Sequence, residues 1–126
     1  MAHQQKTSWT EQTHVGAEMQ ACIQECQNCH NVCVETVQHC LQMGGHHAEP
    51  GHIRTLLDCA EICATSANFM LRSSPLHTRT CAVCAEVCEQ CAASCEKMGD
   101  DEMMQRCADT CRRCAESCRQ MAAMSQ

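Results

Sequence analysis

Cysteine recurs at intervals of three and four residues along four stretches of this 126-residue chain. Alternating intervals of three and four place side chains on one face of an α-helix, whereas a strand needs an interval of two. The four stripes are Met19, Cys22, Cys26, Cys29, Cys33, Cys40 and Met43; Leu56, Cys59, Cys63, Ser66 and Met70; His77, Cys81, Cys84, Cys88, Cys91, Cys95 and Met98; and Met104, Cys107, Cys111, Cys114, Cys118 and Met121. Bundle helices bury such stripes against one another. The sequence therefore predicts an all-α, four-helix bundle with a cysteine-lined core.

Three short breaks separate the stripes: segment 44–51, Ser73-Ser74-Pro75 and Gly99-Asp100-Asp101. The residues between them are mainly Ala, Glu, Gln, Met, Arg and Cys, with few β-branched residues, and this composition favours helix. We predict helices over 9–43, 53–72, 75–98 and 101–121. Short connections make neighbouring helices antiparallel, so the predicted topology is up-down-up-down.

The first predicted helix is too long for the bundle, because 35 residues at about 1.5 Å each exceed the other helices by roughly 15 Å or more. We therefore predict a polar N-terminal extension or overhanging helix over 1–18, the bundle over 19–122 and a tail over 123–126. Ser74 before Pro75, and Asp101, are predicted to cap the third and fourth helices. Gly44 and Gly99 stand where a helix ends in a left-handed residue.

The chain has 16 cysteines and a net charge of −6, with nine Lys and Arg residues in all. Val, Ile, Leu, Phe and Trp together also number 16, too few for an ordinary core, so cysteine replaces the missing apolar residues. The negative charge argues against nucleic acid as a partner. The sequence has no apolar run of transmembrane or export-signal length, so we expect a cytoplasmic protein without membrane contact. Cytosolic thiols are kept reduced, which favours metal binding over disulfides.

Seven pairs of cysteines are spaced i, i+4. They are Cys22 with Cys26, Cys29 with Cys33, Cys59 with Cys63, Cys84 with Cys88, Cys91 with Cys95, Cys107 with Cys111, and Cys114 with Cys118; Cys40 and Cys81 remain. One helical turn puts the two Cβ atoms of a pair about 5 to 6 Å apart. A helix is thus expected to supply two thiolates to an ion rather than four, which suits Cu(I) better than zinc or an iron–sulfur cluster.

The balance of charge between thiolates and metal ions also favours Cu(I). Four Zn²⁺ ions shared among 16 thiolates would leave eight negative charges unbalanced inside a closed core, which burial strongly disfavours. Cu(I) bridged by thiolates at one ion per thiolate leaves no charge. The sequence therefore predicts about 16 Cu(I) per chain, or slightly more.

The segments CIQECQNCHNVC at 22–33, CAEIC at 59–63 and CAEVCEQCAASCEKMGDDEMMQRCADTCRRCAESC at 84–118 resemble the bacterial four-helix-bundle copper storage proteins. The resemblance extends over 19–121, and the lack of an export signal leads us to expect a member of the cytosolic branch. It implies a cytosolic store of many Cu(I) ions in a preformed bundle, and a homo-oligomer that is a tetramer. Members of that branch often have histidines near the third break, where this chain has Met98, Met103 and Met104.

All sixteen cysteines are predicted metal ligands. We add Met43, Met98, Met103 and Met104, which the topology brings to the end of the bundle that holds the first and third breaks. Cys40, Cys59, Cys95 and Cys107 are expected to meet there. Thioether binds Cu(I) without losing a proton, so this end is the predicted copper entrance.

Histidines and the remaining end methionines are the other possible ligands. His46, His47 and His52 are expected to be solvated in a polar loop, from which two imidazoles could pass a metal inward, and His30 and His39 are expected on the surface. The opposite end offers Met19, Met70, Met121 and His77, which could also contact metal.

The predicted function is storage or buffering of Cu(I). Two alternatives stay open: a metallothionein-like sink for zinc, cadmium or silver, and a redox module whose thiol pairs cycle to disulfides. The second is weakened because adjacent cysteines in a continuous helix are poorly oriented for a disulfide. An enzyme is not expected, since no cysteine or serine stands beside a distinctive base and the carboxylates lie off the stripes.

Overall fold

A computed structural model describes residues 16–124. They form the helices α1 (Ala17–Met43), α2 (Pro50–Leu71), α3 (His77–Glu96) and α4 (Glu102–Ala122), with a 3₁₀ turn over Gly45–Ala48 between α1 and α2. No strand occurs within this range, so the predicted all-α fold is confirmed. The predicted extension over 1–18 lies outside the described residues except for its last three, and so do the last two residues of the tail. Between residues 16 and 124, no helix has both the length and the apolar character needed to cross a membrane.

The four helices form a closed ring around the cysteine stripes. α1 packs against α2 and α4, and α3 packs against the same two helices. Sulfur contacts give the directions: Cys22 and Cys33 of α1 contact Cys118 and Cys107 of α4 respectively, so residue numbers rise along one helix and fall along its neighbour. Contacts of Cys63 with Cys84 and of Cys59 with Cys88 give the same antiparallel relation for α2 and α3. The up-down-up-down topology is confirmed.

The helix ends match the sequence-based predictions in part. Asp101 caps α4, since its Oδ1 accepts hydrogen bonds from the backbone N–H groups of Met103 (2.9 Å) and Met104 (3.2 Å). Gly44 and Gly99 have positive φ angles of 71° and 78°, as a glycine after a helix permits. The predicted start of the third helix at Pro75 is wrong. Ser74 Oγ instead accepts from the Leu76 N–H in a turn, and α3 begins two residues later.

The start of α2 also differs from the prediction, since it was predicted at residue 53 and lies at Pro50. Proline has its φ angle already set for a first helical turn and lacks only an N–H that the turn does not use. Pro50 thus begins the helix rather than ending a loop. As a result His52 belongs to a helix, where it is 5% exposed, and the expectation that it is solvated in a loop is wrong.

Candidate metal centre

All sixteen cysteines lie in the core with at most 1% exposure, and none forms a disulfide. The stripes that carry them point to the common axis of the four helices. Around Cys63, for example, the Sγ atoms of Cys84, Cys88 and Cys114 lie at 3.6, 3.6 and 3.8 Å. Sulfur atoms thus pack directly against sulfur atoms from other helices.

The Sγ atoms fall into compact groups, in each of which every pair lies within 4.8 Å. Five groups, in order along the axis, are Cys22, Cys81 and Cys118; Cys26, Cys84, Cys114 and Cys118; Cys29, Cys63, Cys88 and Cys114; Cys29, Cys33, Cys59 and Cys111; and Cys33, Cys91, Cys107 and Cys111. Each group shares at least one cysteine with the next. These five groups contain fourteen of the sixteen Sγ atoms. Cys95, beside Cys91 and Cys107, and Cys40, beside His52 and Met104, extend the series past the last group. We call the sixteen Sγ atoms together the sulfur column.

The groups show that four thiols can surround one ion, contrary to the expectation from cysteine spacing within one helix. A single helix supplies only one or two thiols to a group, as predicted, but other helices complete it, so sets of four sulfur atoms do converge. Such sets are of a size that a tetrahedral ion accepts. The spacing of cysteines along one helix therefore does not by itself exclude zinc, and the choice of metal depends on how the groups share their members.

Burial disfavours the charged form of a thiol in the metal-free column, because a thiolate loses more solvation than a neutral thiol does. Burial raises the pKa of Cys40 to about 11, and the negative charge of Asp101 adds to the shift. Deeper in the column the pKa of Cys63 is also raised, by its hydrogen bond with Cys114, by its other thiol contacts and by burial. Burial thus favours an uncharged empty core, and each thiol that binds a metal as a thiolate must release its proton.

One end of the column combines a thiol, an imidazole and a thioether. We call it the His52 end; the α1–α2 and α3–α4 connections lie there. Cys40 Sγ lies 3.4 Å from His52 Nε2 and 3.9 Å from Met104 Sδ. The Nδ1 atom of His52 lies 2.7 Å from Ser94 Oγ, which orients the ring. Burial lowers the pKa of His52, so its imidazole is neutral and can act as a ligand.

His52 is a candidate ligand that the sequence placed in a loop rather than in the core. Its signal was present, because His52 precedes Leu56 by four residues and continues the stripe of Leu56, Cys59 and Cys63 with the same alternation of three and four. Conversely, Cys59 was expected at this end and lies one layer deeper, 3.6 Å from Cys88 and 3.9 Å from Cys111. At the His52 end, α2 therefore contributes His52 and Leu56 instead of a cysteine.

The four predicted methionine ligands differ in their placement. Met104 is fully buried against Cys40, Met98 packs on the edge of the core, and Met103 is half-buried. Met43 is 56% exposed and lies on the outer surface. The structure thus brings one methionine of the four into direct contact with a thiol.

A cleft of about 550 Å³ leads from the surface to the His52 end. It runs between the start of α2 and the end of α3, and its lining includes Gly51, His52, Ser94, Lys97 and Met98. Since His52 touches Cys40, the cleft connects solvent to the outermost thiol through one imidazole.

His39 and His47, expected on the surface and in a solvated loop, instead share one carboxylate. Their Nε2 atoms lie 2.8 and 2.9 Å from Asp101 Oδ2, and both side chains are at most 29% exposed. The hydrogen bond of His39, together with those from the Met104 N–H and His47, lowers the pKa of Asp101 to about 2. Asp101 therefore joins α1, the 3₁₀ turn and the first turn of α4.

Replacement of Asp101 by alanine is expected to destabilise the metal-free protein by about 1 to 2 kcal/mol, because it removes a helix cap and a partly buried hydrogen-bond acceptor. Chemical denaturation followed by circular dichroism measures this, with Asp100→Ala at the exposed neighbouring position as the matched control. The folded-state pKa of Asp101 is depressed, so its contribution is present above the ordinary pKa of 3.8 and is lost as the pH falls towards 2. Equal stability of the two variants at pH 7 would contradict this role.

The opposite end, which we call the His77 end, holds the α2–α3 connection. Met70 Sδ lies 3.7 Å from Cys81 Sγ, and Ser66 Oγ lies 3.2 Å from the same sulfur. Met70, Met121 and His77 are buried there, and Met19 is partly buried. This end thus contains fewer thiols from α2 than the middle of the column.

Comparison with known proteins gives a consistent result. The family Csp, described as copper storage protein, matches residues 15–123. The solved Nmul_A1745 protein from Nitrosospira multiformis is 48% identical, with a TM-score of 0.81 over 86% of this chain and 97% of that one. The Cu(I)-bound copper storage protein BsCsp3 is 40% identical, with a TM-score of 0.79 over 84% and 99% of the two chains. A cytosolic copper storage protein from Streptomyces lividans, solved with five coppers, is 29% identical with a TM-score of 0.75 over 86% and 95%.

Proposed function

Because the chain belongs to the copper storage protein family, we propose that it stores and buffers Cu(I) on the thiolates that line its four-helix bundle. The observation that carries this function is the sulfur column, in which neighbouring groups share cysteines from one end of the bundle to the other. A shared thiolate can bridge two Cu(I) ions, so a continuous column holds more ions than separate sites would.

We propose that all sixteen cysteines are ligands and that the capacity is about 16 Cu(I) per chain, or slightly more if methionines and histidines at the ends take part. The support is charge balance. Each Cu(I) replaces one proton on a buried thiol, so the loaded core is as neutral as the empty one.

Sharing within the column disfavours zinc. Consecutive groups of four have cysteines in common, so no more than two of the four such groups can each hold a four-coordinate ion without sharing a ligand. Two such zinc ions would use eight thiols and leave half of the sixteen cysteines without metal. Silver has the same preference for sulfur as Cu(I) and is also expected to fill the column.

A redox role has less support. The Sγ atoms of the i, i+4 pairs Cys29–Cys33 and Cys84–Cys88 lie 4.0 and 3.9 Å apart, about twice the length of an S–S bond. Closing either bond would draw two turns of a continuous helix together. We also propose that the protein is not an enzyme, because sixteen equivalent thiols offer no single activated nucleophile.

We propose a cytoplasmic location, supported by the reduced state that so many thiols require and by the cytosolic relative from Streptomyces lividans. The proposed partners are copper ions, without nucleic acid or membrane. A functional test of storage is an anaerobic Cu(I) titration in the presence of a competing Cu(I) chelator. The chelator complex is expected only after the column is filled, and its formation from the first equivalent would contradict storage.

We further propose a homo-oligomer, with a tetramer implied by family resemblance. Val34 and Leu41, on one outer face of α1, are 48% and 55% exposed, and Leu57 of α2 is 50% exposed. These apolar side chains lose contact with water in an assembly. Light scattering is expected to give the mass of four chains of 14.0 kDa, and a mass of one chain would contradict this proposal.

The copper entrance is proposed at the His52 end. The cleft there reaches His52 and Met98, and behind them Cys40 and Met104 form the last layer of the column. Neutral imidazole and thioether groups can hold Cu(I) without losing a proton, and they exchange it more readily than thiolates do.

Replacing Met98 and Met104 together by leucine is expected to slow Cu(I) uptake and removal about tenfold, the effect of losing about 1.4 kcal/mol of transition-state stabilisation, with almost unchanged final stoichiometry. Stopped-flow absorbance under anaerobic conditions measures both rates. The matched control replaces Met19 and Met121, at the His77 end, by leucine. Slower uptake in the control than in the test variant would place the entrance at the other end.

A further inference from the structure

His77 is a buried histidine with one nitrogen that has a hydrogen-bond partner and one that does not. Its side chain belongs to a residue only 8% exposed, at the first position of α3. Nδ1 lies 2.9 Å from the backbone carbonyl oxygen of Ser74. A carbonyl only accepts, so Nδ1 carries the proton and Nε2 presents a lone pair.

That lone pair has no hydrogen-bond partner among residues 16–124, and the Nε2 atom is buried. An unpartnered buried polar atom costs on the order of 1 to 3 kcal/mol, and such atoms are rare in folded proteins. A carbonyl bond at Nδ1 with a free Nε2 is the arrangement that metal-binding histidines use, because the bond holds the tautomer and orients the ring.

The stripe of α3 continues from His77 to a thiol. His77 precedes Cys81 by one turn on the same face, where side chains are neighbours. Cys81 Sγ in turn lies 3.7 Å from Met70 Sδ and belongs to the terminal group of the column with Cys22 and Cys118. A thiol and a thioether in contact and a buried imidazole one turn away thus belong to the same end of the bundle.

We propose that His77 Nε2, Cys81 Sγ and Met70 Sδ bind the last Cu(I) of the column at the His77 end. The inference rests on the proposed storage function and adds a site with mixed nitrogen and sulfur ligands to it. Cys81 releases its proton to solvent and contributes the negative charge, so the bound ion is neutralised. His77 and Met70 are neutral ligands that complete the coordination where α2 has Ser66 and Met70 instead of cysteine.

The test is NMR spectroscopy of the full chain, labelled with ¹⁵N at histidine, during anaerobic addition of Cu(I). His77→Gln identifies the His77 signals by their loss. At saturation the Nε2 resonance of His77 is expected to move away from the position of an unprotonated, unligated imidazole nitrogen. Cys81→Ser is expected to abolish this change, whereas Cys95→Ser, at the other end of the column, is expected to preserve it.

The outcomes separate this site from the function it rests on. If copper–thiolate absorption shows that the column fills while the Nε2 resonance stays unchanged, the His77 site is wrong and storage stands. A Nε2 that is protonated throughout the titration also overturns the site. If neither the absorption nor the resonance changes, both proposals fail.

Discussion

The reduced, metal-free protein is expected to be a folded bundle whose circular dichroism spectrum is dominated by α-helix. Its thiols already lie in van der Waals contact without metal, for example at 3.4 Å between Cys26 and Cys118, so these side chains pack against one another in the empty core. Protonated cysteine is a small apolar side chain, and burial of sixteen of them drives folding without charge repulsion. The Asp101 cap fixes the start of α4, and glycines follow the last turns of α1 and α3; neither feature needs metal.

Cooperative thermal unfolding of the metal-free protein, followed by circular dichroism at 222 nm under reducing conditions, would establish that the bundle is folded before metal binds. Zinc-finger domains behave in the opposite way, because their few core residues cannot fold without the ion. A spectrum of mostly unfolded chain that becomes helical only on metal addition would contradict a preformed store. It would favour the metallothionein-like alternative.

Much of the fold and most of the candidate site could be predicted from sequence. A helix returns to the same face every three or four residues, so the cysteine positions alone define four inward faces. For the same reason all sixteen cysteines were assigned to the core, and burial confirms that assignment. The cap at Asp101 was equally local, since it depends on residues within one turn.

What the sequence did not predict depends on contacts between helices. His52 was assigned to a loop because glycine, histidine and proline surround it, yet Pro50 begins a helix whose stripe includes it. The link from His39 and His47 to Asp101 joins residues 62 and 54 positions apart, which no periodicity reveals. Likewise, groups of four thiols form from three or four helices at once, so spacing within one helix underestimated the ligands available to an ion.

The central claim is that the column is one continuous Cu(I) store rather than a set of separate four-coordinate sites. Native mass spectrometry of the reduced chain, loaded anaerobically with Cu(I) and in a parallel sample with Zn(II), tests it most directly. We expect about 16 Cu(I) per chain, the one-to-one ratio at which bridging thiolates leave no net charge. We expect about two Zn(II), the largest number of four-cysteine groups that share no member. Saturation with Cu(I) at four ions or fewer, or equal numbers of the two metals, would contradict this account.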